Sequence, residues 1–180
     1  MITPDRSFER LETRRLALRR SHAGDAETIA AYRSDPEVLR YQGWERTDAD
    51  GVSEEIEAMA TRAPGDPDGW VQFSVETRDA GRLVGDVGLS PADGEPGVVK
   101  IGYTMDPAHQ GRGYATEAVR ALVDYAFDTL GAHIVRAYAS AENLPSIRVA
   151  EKAGLTLVER FERTYEGETW QGVRYEIARP

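Results

Sequence analysis

Ile101-Gly102-Tyr103-Thr104-Met105-Asp106-Pro107-Ala108-His109-Gln110-Gly111-Arg112-Gly113-Tyr114-Ala115-Thr116-Glu117-Ala118-Val119 is the stretch on which the reading of this chain turns. An apolar run with strand character meets Asp106-Pro107, a strong turn signal. Behind Gln110-Gly111-Arg112-Gly113 comes an amphipathic helix. Its apolar residues Ala115, Ala118, Val119, Leu122, Val123, Ala126, Phe127 and Leu130 follow the i, i+3, i+4, i+7 rule, and Gly131 stops it. A strand, a glycine-bearing loop and an uncapped helix start make a polyanion site. Loop amides converge on one point, the helix dipole adds partial positive charge there, and glycine lets a phosphate approach the backbone.

Two familiar phosphate loops do not fit. A P-loop needs a Lys after its second glycine, and a dinucleotide fingerprint needs a third glycine where Thr116 stands. The chain has 180 residues, 41% hydrophobic and 29% charged, which is enough for one domain over 1–180 with a sizeable core. No apolar run approaches membrane-spanning length, and the N-terminus lacks the charged-then-apolar pattern of a secretory signal. The expected setting is cytoplasmic, without a membrane partner. The absence of cysteine removes disulfides, thiolate metal sites and a cysteine nucleophile. Three histidines (His22, His109, His133) without an H-E-x-x-H motif give no reason to expect a metal. The net charge of −9 argues against nucleic acid and suits a cationic substrate.

Along the chain, residues 11–20 alternate as a half-buried strand would, with Leu16 and Leu18 on one face. Ala23 to Ser34 reads as a helix, Asp35-Pro36 opens a short second turn, and Asp48 to Arg62 reads as a polar helix. Strands follow over Trp70 to Glu76, Leu83 to Leu89 and Val98 to Met105. After the amphipathic helix come a strand (Ile134 to Ser140) and a short helix (Pro145 to Ala153). A closing hairpin then runs through Leu157 to Glu166 and Trp170 to Ile177, turning at Glu166-Gly167-Glu168. The order β-α-α-β-β-β-α-β-α-β-β predicts an α/β (α+β) fold with helices on both faces of a mixed sheet.

The loop Gln110-Gly111-Arg112-Gly113-Tyr114-Ala115 matches Q/R-x-x-G-x-G/A. Around it stand Leu11-Glu12-Thr13-x-Arg15-Leu16, Ser34-Asp35-Pro36-Glu37-Val38, Gly85-x-Val87-Gly88-Leu89, Ile101-Gly102-Tyr103, Asn143-x-x-Ser146 and Glu151-Lys152-Ala153-Gly154-Leu155, in that order. Together they resemble the GNAT superfamily of N-acetyltransferases, and within it the RimJ/RimL type that acetylates ribosomal-protein alanine. The resemblance runs from about residue 11 to the end. It implies a central sheet of about seven strands, splayed at its central strands, and acetyl-CoA as cosubstrate.

It also implies roles for particular residues. Pantetheine would lie along Thr104 and Met105 like an added strand. The pyrophosphate would sit on amides of Gly111, Arg112, Gly113, Tyr114 and Ala115, with Gln110 at the loop entrance. Asn143 would hydrogen-bond the pantetheine arm. Arg148 and Lys152 could meet the 3′-phosphate or be a solvated surface pair. Tyr41, Trp44 and Glu45 fall where the fold lines its acceptor pocket, and an aromatic wall with a carboxylate suits a cation, though Trp44 could also be core.

The implied chemistry is direct attack of a free amine on the thioester in a ternary complex, and the thiolate needs a proton. Many members use a tyrosine on the last helix as the acid, where this chain has Ala150. Ser146 resembles the serine that the ribosomal-protein type holds near the sulfur; as a helix-start residue it could equally cap backbone amides. A glutamate often precedes Ile-Gly-Tyr, where this chain has Lys100, which leaves Asp86 or water chains as the base. The acceptor is an amine of a protein N-terminus or of a small molecule such as an antibiotic. The departures at Lys100 and Ala150 raise an alternative, an acyl-CoA-binding module with little or no turnover. Trp170, Val173, Tyr175 and Ile177 on the hairpin suggest a homodimer contact or sheet core.

Overall fold

The computed structural model describes residues 1–180 apart from Glu45, Asp68, Glu166, Gly167 and the side chains of Tyr165 and Glu168. Its strands are β1 (Arg10–Glu12), β2 (Leu16–Arg20), β3 (Val71–Thr77), β4 (Leu83–Pro91), β5 (Val98–Met105), β6 (Ile134–Ser140), β7 (Thr156–Tyr165) and β8 (Glu168–Ala178). They form one sheet in the order β1-β2-β3-β4-β5-β6-β8-β7. Helices α1 (Ala26–Arg33), α2 (Pro36–Leu39), α3 (Ala49–Met59), α4 (Tyr114–Asp128) and α5 (Leu144–Lys152) complete the described elements. The β5–β6 pair is parallel and its neighbours β4–β5 and β6–β8 are antiparallel, because α4 carries the chain over the sheet before β6 begins.

The stripe on α4 does what its periodicity predicts. Val119, Leu122 and Ala126 are fully buried against Phe73, Val87 and Val99 on one face of the sheet. The opposite face holds a second cluster, in which α1 and α3 pack Ile29, Tyr32, Val52 and Ile56 together. Asp35 starts α2 by accepting the Glu37 amide (2.9 Å), with Pro36 as the first helical residue, which accounts for the Ser34-Asp35-Pro36-Glu37 signature.

Among the described residues there are eight strands rather than about seven, because the stretch 11–20 is two strands. Thr13 exchanges bonds with Leu16, Thr13 N–H to the Leu16 carbonyl (2.8 Å) and Leu16 N–H to Thr13 Oγ1 (2.9 Å). The chain turns there, so β1 folds back on β2. The helix expected from Ala23 opens with a 3-10 turn over Ala23–Asp25. Asp25 explains that start. It accepts both Arg19 guanidinium nitrogens (2.7 and 2.8 Å), the Ser74 hydroxyl (2.9 Å) and the His22 amide (3.0 Å), and so ties the helix start to β2 and β3. On the closing hairpin Val173 and Tyr175 are buried core, while Trp170, Leu157 and Val158 remain exposed. The expected turn at Glu166-Gly167 lies outside the described residues.

The feature that positions the site is an interruption. β5 and β6 pair only from Val98 to Ile101 and from Ile134 to Ala137. Beyond that point β5 stays with β4 as far as Met105, and β6 stays with β8 as far as Ser140. The sheet opens into a V between its two central strands.

Candidate active site

One arm of the V is the free edge of β5. Asp106 N–H donates to the Val84 carbonyl (3.0 Å), so by alternation the even-numbered positions of β5 turn their amides to β4. Tyr103 and Met105 therefore turn theirs into the gap. The edge anticipated at Thr104 and Met105 is thus offered by Tyr103 and Met105, while the Thr104 hydroxyl meets Gln42 on the face covered by α1–α3 (3.4 Å). At the foot of the strand the Gln110 side-chain amide donates to the Met105 carbonyl (3.2 Å) and draws the following loop back against β5.

That loop ends in the start of α4. Gly111 and Gly113 have φ of +73° and +78°, the left-handed region that a side chain disfavours. Gly113 is the N-cap, and no side chain caps the helix. The amides of Tyr114, Ala115 and Thr116 head the helix without partners one turn back. A Cβ on Gly111 would meet no atom within 4 Å, so the space before the loop is open. Arg112 is exposed beside it. Lys152 lines a groove along α4 together with Gly113, Thr116 and Arg120, whereas Arg148 is exposed elsewhere on α5.

The other arm brings α5 to β5. Asn143 is the cap of α5, its Oδ1 accepting the Ser146 amide (3.2 Å). The Ser146 hydroxyl does not cap; it donates to the Tyr103 hydroxyl (3.1 Å), which in turn donates to the Ser146 carbonyl (2.8 Å). Burial pushes the Tyr103 phenol above its ordinary value, so at neutral pH it is a proton-bearing donor. Ala150 is buried. Nothing in the sequence pattern alone couples Tyr103 to Ser146, because the pairing depends on how α5 leans on β5.

On the opposite face Asp86 is 2% exposed. Its carboxylate accepts the Tyr32 hydroxyl and the Gln72 side-chain amide, and the Arg33 Nε lies 3.9 Å away. Burial pushes the Asp86 carboxyl up, against the pull of Arg33, Tyr32 and Gln72. Gln72 also accepts Trp70 Nε1 (2.6 Å), and the Trp70 ring lies against Gly88 and Gly102. A Cβ on Gly88 would clash with that ring, and one on Gly102, its cross-strand partner, would come within 3.0 Å of it. The two glycines of the Gly85-x-Val87-Gly88 and Ile101-Gly102-Tyr103 signatures form the floor on which Trp70 rests. Paired glycines across a register are the signal that could have found Trp70. Trp44, expected in the acceptor wall, has the Arg33 guanidinium over its ring at 4.5 Å, so that cation site is already filled from within the chain. Tyr41 reaches the Glu142 carbonyl at 3.5 Å, and Glu45 lies outside the described residues. Lys100 pairs with Asp93 (3.2 Å).

Comparison with known proteins bears on the family and the fold. The family model described as acetyltransferase (GNAT) domain matches residues 15–156. The uncharacterized N-acetyltransferase p20 of Bacillus licheniformis is 34% identical over 146 residues, covering 79% of each chain. Among solved structures, a GNAT-family acetyltransferase from Bacillus anthracis superimposes with a TM-score of 0.81 at 27% identity, covering 94% of this chain and 98% of that one. Mycobacterium smegmatis RimJ in complex with CoA-disulfide gives a TM-score of 0.79 at 21% identity, covering 91% of this chain and 81% of that one.

The Asp86 network makes a prediction. An amide at this position would aim its own N–H at a phenol or amide donor, so Asp86→Asn should lose about 1–3 kcal/mol of stability. A carboxylate this enclosed reaches the gap only through its partners, so the variant should keep its kcat within a few-fold. Thermal melts and kcat on one preparation check this; a loss beyond a hundredfold together with a vanished acid limb of the pH–rate profile would instead make Asp86 the base.

Proposed function

We propose, from the premise that this chain belongs to the GNAT acetyltransferase family, that it moves the acetyl group of acetyl-CoA onto a primary amine by direct attack. As a member of that family it is an N-acetyltransferase; the ternary mechanism, the cofactor contacts and the acceptor class are our reading. The observation that carries it is the V between β5 and β6, which ends on the glycine loop and uncapped start of α4. Pantetheine completes the broken ladder as an extended chain on the Tyr103 and Met105 edge. The pyrophosphate meets the amides of residues 111–115, where the helix dipole favours an anion. The CoA-disulfide bound to the RimJ neighbour lends support to the cofactor. The whole of 1–180 acts as one such domain.

Acetyl transfer forms a C–N bond at the thioester carbonyl and breaks the C–S bond. The amine gives up a proton and the CoA thiolate receives one. Ser146 sits on the α5 side of the gap, held by Tyr103, and its hydroxyl stabilises or protonates the leaving sulfur. The amine's proton leaves through water, since Asp86 is enclosed by Tyr32, Gln72 and Arg33. Orientation of amine and thioester supplies much of the acceleration, because the thioester is already activated. The acceptor is a protein N-terminal amine or a small-molecule amine. Turnover of acetyl-CoA with an amine panel separates this from a module that binds acyl-CoA without transfer.

Three outcomes follow. Val at Gly111 or Gly113 should weaken CoA binding severely in calorimetry on folded protein, because a β-branched residue disfavours the positive φ that each glycine holds and would turn the loop amides away, while at Gly111 its side chain also enters the open space before the loop; unchanged affinity in both variants would remove the loop from the cofactor site. Ser146→Ala should lower kcat by roughly a hundredfold or more with CoA affinity nearly intact; full turnover would leave the thiolate's proton to water. The exposed Leu157, Val158 and Trp170 support a homodimer through the closing hairpin, which light scattering over a wide concentration range would exclude by returning a monomer mass.

A further inference from the structure

Arg15 lies far from the glycine loop in sequence yet makes a dense set of contacts at it. Its Nε pairs with Glu117 Oε2 (2.6 Å), and its backbone amide and the Thr13 hydroxyl both donate to Glu117 Oε1 (2.8 and 2.7 Å). Its Nη1 donates to the Arg112 carbonyl (3.0 Å), and its guanidinium covers the Tyr114 ring at 4.8 Å. Burial alone would raise the Glu117 carboxyl, but the bonds from Thr13 and Arg15 hold it below its ordinary value, so it stays an anion. Arg15 is more than a third exposed. An ion pair so placed contributes little stability by itself, and its value to the molecule must be sought elsewhere.

The Arg112 carbonyl supplies it. A trans peptide is planar, so the carbonyl of residue 112 and the amide of residue 113 point in opposite directions. With the oxygen held by Arg15 on one side, the Gly113 N–H is turned to the other, away from Arg15. Glycines at 111 and 113 make the loop permissive, and the same freedom would let the 112–113 peptide rotate away. Something outside the loop has to hold it. Glu117, in the first turn of α4, fixes the guanidinium and is neutralised by it, so its charge does not repel an anion at the helix start.

We propose that Arg15 is a positioning residue for the diphosphate of CoA: by gripping the Arg112 carbonyl it aims the Gly113 amide, and Glu117 aims Arg15. This rests on the assignment of the loop to the pyrophosphate given above. The Thr13-x-Arg15 signature then belongs to the cofactor site, although no atom of it need touch the cofactor.

The test uses the intact protein with CoA in calorimetry, and with pantetheine, which lacks the diphosphate, followed by amide chemical shifts. Arg15→Gln should weaken CoA about tenfold or more, the loss expected for one charge-assisted hydrogen bond, while pantetheine affinity stays within about twofold. Arg15→Lys, which keeps the charge without the fork, should fall between and serves if the glutamine variant does not fold. Glu117→Gln separates aim from charge: it makes the loop more positive, so simple attraction predicts tighter CoA, whereas positioning predicts weaker. Unchanged CoA affinity in Arg15→Gln, equal loss of CoA and pantetheine, or tighter CoA in Glu117→Gln would overturn the proposal. If Gly113→Val also leaves CoA affinity intact, the loop assignment itself fails; if Gly113→Val weakens CoA and Arg15→Gln does not, only the role of Arg15 fails.

Discussion

Two strands can share hydrogen bonds only where they run side by side, and β5 and β6 do so only from Val98 to Ile101 before each follows its other neighbour. Everything about the candidate site descends from that parting. An unpaired backbone edge inside a sheet is costly when it is buried and becomes a ligand site when it is open. Here the edge is short, runs toward Met105, and terminates at a loop that bends back through Gln110. The edge leaves the Tyr103 and Met105 amides without a strand partner, and the loop at its end carries two glycines of positive φ before an uncapped helix start.

The polar side chains around the gap divide by what they hold. Tyr103 fastens the first turn of α5 to β5 and so sets where the Ser146 hydroxyl stands. Asp86 gathers Tyr32, Gln72 and, through Gln72, Trp70 on the far face, which keeps α1 seated on β3 and β4. Tyr103 joins α5 to β5, and Asp86 joins α1 to the neighbouring strands β4 and β3 on the other face.

Much of this was legible in the chain. The 3.6-residue period of α4, the Asp-Pro turn and the two loop glycines are local signals, and local signals survive folding: β5 and β6 occupy the residues their patterns indicate, and α4 begins at Tyr114. The split of 11–20 into β1 and β2 was not, because alternation continues through a turn that Thr13 closes with its hydroxyl. Which residues of β5 face the gap was also hidden, since parity depends on the register with β4. Trp44 illustrates a different limit. Its type suggested a wall for a cationic acceptor, but a side chain on a neighbouring helix, Arg33, reaches its ring first. Pairings across a hundred residues, such as Arg15 with Glu117, leave no trace in spacing.

The central claim is that the V and the loop form one continuous binding surface for acetyl-CoA. Backbone amide chemical shifts recorded while CoA is titrated into isotope-labelled protein test it most directly. The account predicts the largest changes at Gly111 to Thr116 and at Tyr103 and Met105, with Ser146 and its neighbours in α5 following. Changes concentrated elsewhere, for example along the outer face of α4 between Arg120 and Asp128, with the loop amides unmoved at saturation, would contradict it.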